Sequence, residues 1–145
     1  MRKDLMIALL LLLTCTAFAC RSYTRTLEQS VEHADETAAI AALRTLASAQ
    51  RTYSVSNSGS YGTFEQLVHG GFLDSRFNSE KPKFRGYVLT MSVTNGEGAS
   101  GGSYSVNADP EPPQLGRHFY MDADSGLIHI NGVQRASASD PSLDQ

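Results

Sequence analysis

Hydrophobic periodicity changes character partway along this chain, and the change limits the folds open to it. From Glu36 to Tyr53 the pattern repeats at three and four, through Ile40, Leu43, Leu46 or Ala47, Gln50 and Tyr53. That spacing gathers one stripe on a helix. Alanines at 38, 39, 41, 42, 47 and 49 favour the helix at little side-chain entropy cost and allow close approach to a sheet. From Tyr87 the interval drops to two. Tyr87, Leu89, Met91 and Val93 fall on one side, with Val88, Thr90, Ser92 and Thr94 on the other, the pattern of a strand with one buried face. A striped helix followed by one-faced strands predicts an α+β fold, with one long amphipathic N-terminal helix packed on a roughly four-stranded antiparallel sheet.

The remaining elements follow from punctuation. Thr26-Leu27-Glu28-Gln29 has the spacing of a capping box, and the polar run from Ser54 to Ser60 stops the helix at about Tyr53 or Ser54. Thr63 caps a second, short helix that buries Phe64, Leu67 and Val68 and ends at Gly70-Gly71. Tyr104 to Ala108 is a strand closed by the prolines of Asp109-Pro110-Glu111-Pro112-Pro113. His118–Met121 and Leu127–Ile130 flank the tight turn Asp122-Ala123-Asp124-Ser125-Gly126. Tyr53, Tyr61, Tyr87 and Tyr104 are placed where helix meets sheet. Residues 136–145 are small, polar and acidic, and read as a disordered tail.

The first twenty residues carry an address. Met1-Arg2-Lys3 leads into an apolar run from Leu5 to Leu13 and then to Ala17-Phe18-Ala19-Cys20, the layout of an export signal. Leu5 to Cys20 spans 16 residues interrupted by Thr14 and Thr16, short of the roughly 20 apolar residues of a membrane span. A cysteine just after the cut is where bacterial lipoproteins are acylated. Cys15 lies inside the signal, so Cys20 is the one thiol of the exported part and has no disulfide partner. Lipidation at Cys20 and plain secretion with an ordinary thiol both satisfy Ala-Phe-Ala. The layout is then signal peptide 1–19, lipid-anchor tether 20–26, α+β domain 27–135 and tail 136–145. Acyl chains would hold the protein to the cell envelope, and Arg21 in place of aspartate after the cysteine points to the outer membrane, facing the periplasm.

Charge and residue spacing thin out the remaining classes. Of the formal −3 of the whole chain the leader contributes +1, leaving −4 on the exported part, with no basic stripe to hold phosphates. Nucleic-acid binding is not expected. His33, His69, His118 and His129 lack metal-site spacing, although His118 and His129 are placed to face one another across the last hairpin. No serine sits in a Gly-x-Ser-x-Gly elbow, and Gly96, Gly98, Gly101 and Gly102 precede no helix start that would cradle a phosphate. No catalytic residue and no cofactor are assigned. Asp122, Asp124 and Gly126 invite a calcium reading, but glycine stands fifth and no glutamate follows at the twelfth position, so turn formation is the preferred account.

With helix and strands in place, the residues from about 34 to 131 resemble the globular domain of type IV pilin-like proteins, especially the major pseudopilin of type II secretion. The resemblance rests on Glu36-Thr37-Ala38-Ala39-Ile40-Ala41-Ala42-Leu43-Arg44-Thr45-Leu46 with Ala49-Gln50 and Tyr53, on Gly59, Tyr61 and Leu67, and on Gly86-Tyr87. It continues through Tyr104-Ser105-Val106-Asn107-Ala108-Asp109-Pro110 and Gly116-Arg117-His118-Phe119-Tyr120 with Asp122 and Gly126. It implies a pilin-like head, partners among secretion or pilus machinery, and in related members a calcium ion in the loop after the second strand. The prolines of Asp109 to Pro113 speak against that ion here. The front end departs from the family, since residues 20–34 are polar where a prepilin has a filament-forming apolar helix. The expectation is a non-catalytic envelope lipoprotein bearing a pilin-like head. Alternatives are an atypical pseudopilin or accessory subunit, and a periplasmic binding module or small enzyme with a ligand between the 95–102 and 109–117 loops.

Overall fold

The alanine-rich stretch forms a helix, α1, over residues 30–56 of the computed structural model, which describes residues 30–96, 102–113 and 115–143. The leader, Cys20, the tether and the expected cap at Thr26 lie outside the described residues. Residues 30–34 belong to a separate N-terminal unit, and the packing below concerns residues from Asp35 onward. The buried seam of α1 is Ala39, Ala42, Leu43, Leu46, Ala49 and Gln50. At its start the seam is one residue off the expected stripe, because Ala39 rather than the half-buried Ile40 meets the sheet.

Five strands, one more than expected, form an antiparallel meander in the order β1 Lys83–Phe84, β2 Tyr87–Thr94, β3 Ser103–Pro110, β4 His118–Asp122 and β5 Ile128–Asn131. The addition is β1. Its two residues carry no readable alternation, and the turn imposes the pairing: Arg85 at φ +42° and Gly86 at φ +77° make the tight connection whose twist suits a hairpin. Tyr87 and Leu89 of β2, Val106 and Ala108 of β3, Phe119 and Met121 of β4 and Ile128 of β5 face α1, as the period of two predicts.

The short helix α2, Phe64–His69, is capped by Thr63 as expected, Gln66 completes a reciprocal capping box with it, and Phe64 and Leu67 are buried while Val68 is half-buried. A 3-10 turn, Ser75–Phe77, then drops Phe77 against Phe84, with ring centroids 4.6 Å apart. Together they close the side of the core next to β1.

Two buried polar side chains fix α1 lengthwise on the sheet. At its start Glu36, 6% exposed, grips Arg117 at the entry to β4. Its Oε2 accepts from Nη2 at 2.7 Å, and its Oε1 also takes the Arg117 backbone N–H at 3.1 Å. The hydrogen bonds from Arg117 to this carboxylate hold the guanidinium pKa above its usual value. Toward the other end Gln50, fully buried, accepts from Gly62 N–H at 2.9 Å and donates to Gly62 C=O at 2.6 Å. The fourteen-residue interval between these pins rises roughly 21 Å, close to the roughly 24 Å of an eight-residue strand. Gln50 Nε2 also reaches Met91 Sδ of β2 at 3.3 Å, while Glu36 meets Arg117 beside the start of β4, so α1 runs along β2 and β4 in the same direction.

The segment expected as a disordered tail is instead ordered through residue 143. Ile130 N–H donates to Pro141 C=O at 2.9 Å and Leu143 N–H to Ile128 C=O at 2.7 Å, which pairs the segment with the edge of β5 through an isolated antiparallel bridge, His129↔Ser142. Small polar residues lack a periodic signal, and what orders them here are partners distant in sequence.

Replacing Gln50 by Leu leaves the Gly62 N–H and C=O buried without partners. Urea denaturation is expected to show a loss of about 3 kcal/mol. Arg117→Met takes the guanidinium from the Glu36 carboxylate while leaving the backbone N–H of residue 117 in place, and is expected to cost about 2 kcal/mol, less than loss of a wholly buried pair because the guanidinium is half exposed.

Candidate functional site

The alternation that sends apolar side chains toward α1 sends polar ones to the opposite face. There β3 presents Ser105, Asn107 and Asp109, β4 presents His118, Tyr120 and Asp122, and β5 presents His129 and Asn131. Residues 135–142 lie over part of this face and hydrogen-bond to it. Asn107 Nδ2 donates to Ala136 C=O at 2.8 Å, and Asn131 Nδ2 to Asp140 Oδ1 at 2.8 Å.

The two histidines expected to face one another do not pair. His118 stands opposite Asn131, and His129 opposite Tyr120. His118 is buried, and its Nδ1 lies 2.7 Å from Asp109 Oδ1. A carboxylate accepts only, so Nδ1 carries the proton. The other oxygen of Asp109 meets Arg135 Nε at 3.3 Å. His129 Nδ1 donates to the Asp140 backbone carbonyl at 2.6 Å, and its Nε2 lies 3.5 Å from Ser125 Oγ.

Serine, histidine and carboxylates thus come together at the last hairpin, but their hydrogen bonds belong to the turn. Ser125 Oγ donates to Asp122 Oδ1 at 2.8 Å and accepts from Leu127 N–H at 3.2 Å, so its proton points at a carboxylate and away from the imidazole. Ser125 N–H also donates to Asp122 Oδ1 at 2.8 Å, and Gly126 adopts φ +64°. Burial pushes the Asp122 carboxyl up. The bonds from Ser125 and Tyr120, with the nearby His129, outweigh it and hold the group below the usual carboxylate range. These bonds occupy Asp122 in the way the turn reading of Asp122, Asp124 and Gly126 requires. Among the described residues no group of three or more His, Cys, Asp or Glu side chains is arranged to hold a metal ion.

The described ends of the two connections considered as flanking a ligand, Asn95 and Gly102 for one and Glu111 and Arg117 for the other, lie at opposite ends of β3, roughly 24 Å apart along the strand. Cys20 lies outside the described residues. Among the described residues no helix is long and apolar enough to cross a membrane.

Comparison of the chain with protein-family models, with curated proteins and with solved structures finds no match. Asp109, Arg135, Asn107 and Asp140 were not marked as partners by any local motif. The one usable signal is the period-two placement of Asn107 and Asp109 along β3, and that gives a face without naming what covers it.

Asp140 is held below the usual carboxylate range by the Ser137 hydroxyl, then by Asn131 and the Ser137 N–H. A depressed native pKa means the stabilisation is complete above the unfolded value and is lost as pH falls through the folded one. Acidification below about 4 is therefore expected to release residues 137–143 before the rest of the domain unfolds, seen as changed Ile130 and Leu143 amide signals by NMR. In Asp140→Asn the same segment is expected to be looser at neutral pH and insensitive to acid over that range.

Proposed function

We propose that this chain is a non-catalytic cell-envelope lipoprotein, anchored through acyl chains on Cys20 and presenting a pilin-like α+β head as a binding or structural module. The observation that carries the reading is Cys20 itself. It follows Ala17-Phe18-Ala19 at the end of an apolar segment too short to span a bilayer, and it is the single cysteine beyond the leader. Two or more acyl chains give stable anchoring where one gives only reversible attachment.

The architecture supports the pilin-like part of the reading. A long helix lies along an antiparallel meander, as the resemblance implied, and the head meets α1 through a seam of alanines and leucines. The polar stretch from Arg21 to His33 argues against polymerisation through a buried helical core, since Arg21, Arg25, Glu28 and Glu32 would each have to enter an apolar filament interior. A second reading, as an accessory subunit of a type II secretion or type IV pilus system, is favoured by the same helix-on-sheet architecture. Co-purification of secretion or pilus components with the native protein would support it.

Intact mass spectrometry of the protein isolated from membranes tests the anchor. The expected mass is that of residues 20–145 plus a diacylglyceryl group and an amide-linked acyl chain. Cys20→Ser is expected to shift the protein from the membrane fraction to the soluble periplasmic one. An unmodified mass for the native chain would remove the lipoprotein reading.

A further inference from the structure

The two edges of the sheet are treated differently. On β5 the edge is occupied by residues 141–143. On the other side β1 reaches β2 only through Lys83↔Val88 and Phe84↔Tyr87, and the final bond is Leu89 N–H to Pro82 C=O at 2.9 Å. Proline has no N–H to return, and the pairing stops there. Because Leu89 directs its backbone to this side, the strand period directs the N–H and C=O of Met91 and Val93 to it as well, and no described strand pairs with them.

A groove of about 410 Å³ lies against this open edge, between β2, α2 and the turn at residues 78–80. Phe64, Met91 and Val93 form its apolar wall, while the exposed Glu65 and Glu80 stand on its rim. No basic side chain lines it. Unpaired strand backbone beside alternate apolar side chains is the arrangement by which a sheet accepts an added strand. The carboxylates select the charge of what arrives.

We propose that the open edge of β2 from Met91 to Val93 docks an extended, uncharged-centred polypeptide segment of a partner protein that carries basic side chains at its ends. Main-chain hydrogen bonds to Met91 and Val93 supply the pairing, the groove takes alternate side chains, and Glu65 and Glu80 receive the cations. A second copy of this chain is a poorer occupant. Edge-to-edge pairing about a two-fold axis would bring two acidic rims together, in a domain already carrying −4. The proposal is independent of whether Cys20 is acylated.

The test titrates a short blocked peptide of valine and threonine, with a lysine at each end, into the isotope-labelled protein as isolated from cells. Binding is expected to shift the Met91 and Val93 amide signals and to slow their hydrogen exchange. Glu65→Lys combined with Glu80→Lys changes only exposed side chains and is expected to weaken binding about tenfold. The same peptide with alternate amides N-methylated is expected not to bind, because it cannot complete the ladder. The idea is overturned if the shifts fall elsewhere or are absent, if the N-methylated peptide binds equally well, or if the edge proves to be filled by self-association of the protein.

Discussion

Burial of Glu36 is the constraint around which the domain is arranged. A carboxylate withdrawn from water is costly unless its lone pairs are filled, and Arg117 fills them with side-chain and backbone donors together. The apolar seam of α1 cannot set its own position with the same strictness. Three of its residues are alanines, which offer close approach but little relief against which a sliding helix would catch. The Glu36 and Gln50 contacts each work in one register only, so they convert a smooth contact into a single placement.

From these pins order spreads to both ends of the sheet. Near Glu36, Tyr87 Oη donates to the Arg117 carbonyl at 2.9 Å, which ties the start of β2 to the start of β4. Gly116 passes this point at φ +142°, where an added Cβ would lie 2.6 Å from the tyrosine hydroxyl, so only glycine lets the chain through. At the far end the two residues after the α1 turn are each held by a side-chain amide. Asn95 takes the Tyr61 N–H at 2.9 Å and reaches its carbonyl at 3.2 Å, while Gln50 does the same for Gly62. The α1–α2 connection is thereby fixed, with the Tyr61 ring packed against Tyr104 at 4.8 Å between centroids.

What could be read beforehand is what local chemistry determines. The cap at Thr63, the alternation of Tyr87 to Val93 and the turn ending at Gly126 all depend on residues within a few positions of one another. β1 escaped because two residues carry no period and a turn at Arg85-Gly86 makes the pairing. The ordered C-terminal segment escaped for a different reason. Its composition is that of a solvated tail, and it is held by Asn107, His129 and Asn131, whose side chains point away from the core for reasons that say nothing about residues 136–143. The polar pin at Gln50 was visible only as a gap-filler in an apolar stripe. A glutamine at a seam position has to find partners, but its sequence neighbours do not reveal that they are the backbone of Gly62.

The two sheet edges also differ energetically. Residues 137–143 are attached mainly by hydrogen bonds, several of them to exposed groups, with Ala136 and the half-buried Leu143 as modest apolar contributions. Such a segment opens at a smaller free energy than the core strands. A partner strand competing for β5 would still have to displace it and forgo the Asn131 and His129 contacts to Asp140. At β2 no described strand has to leave, and the backbone groups of Met91 and Val93 already project along the line an incoming strand would follow. Equal intrinsic pairing strength would therefore favour association at β2 by the whole cost of opening the other edge.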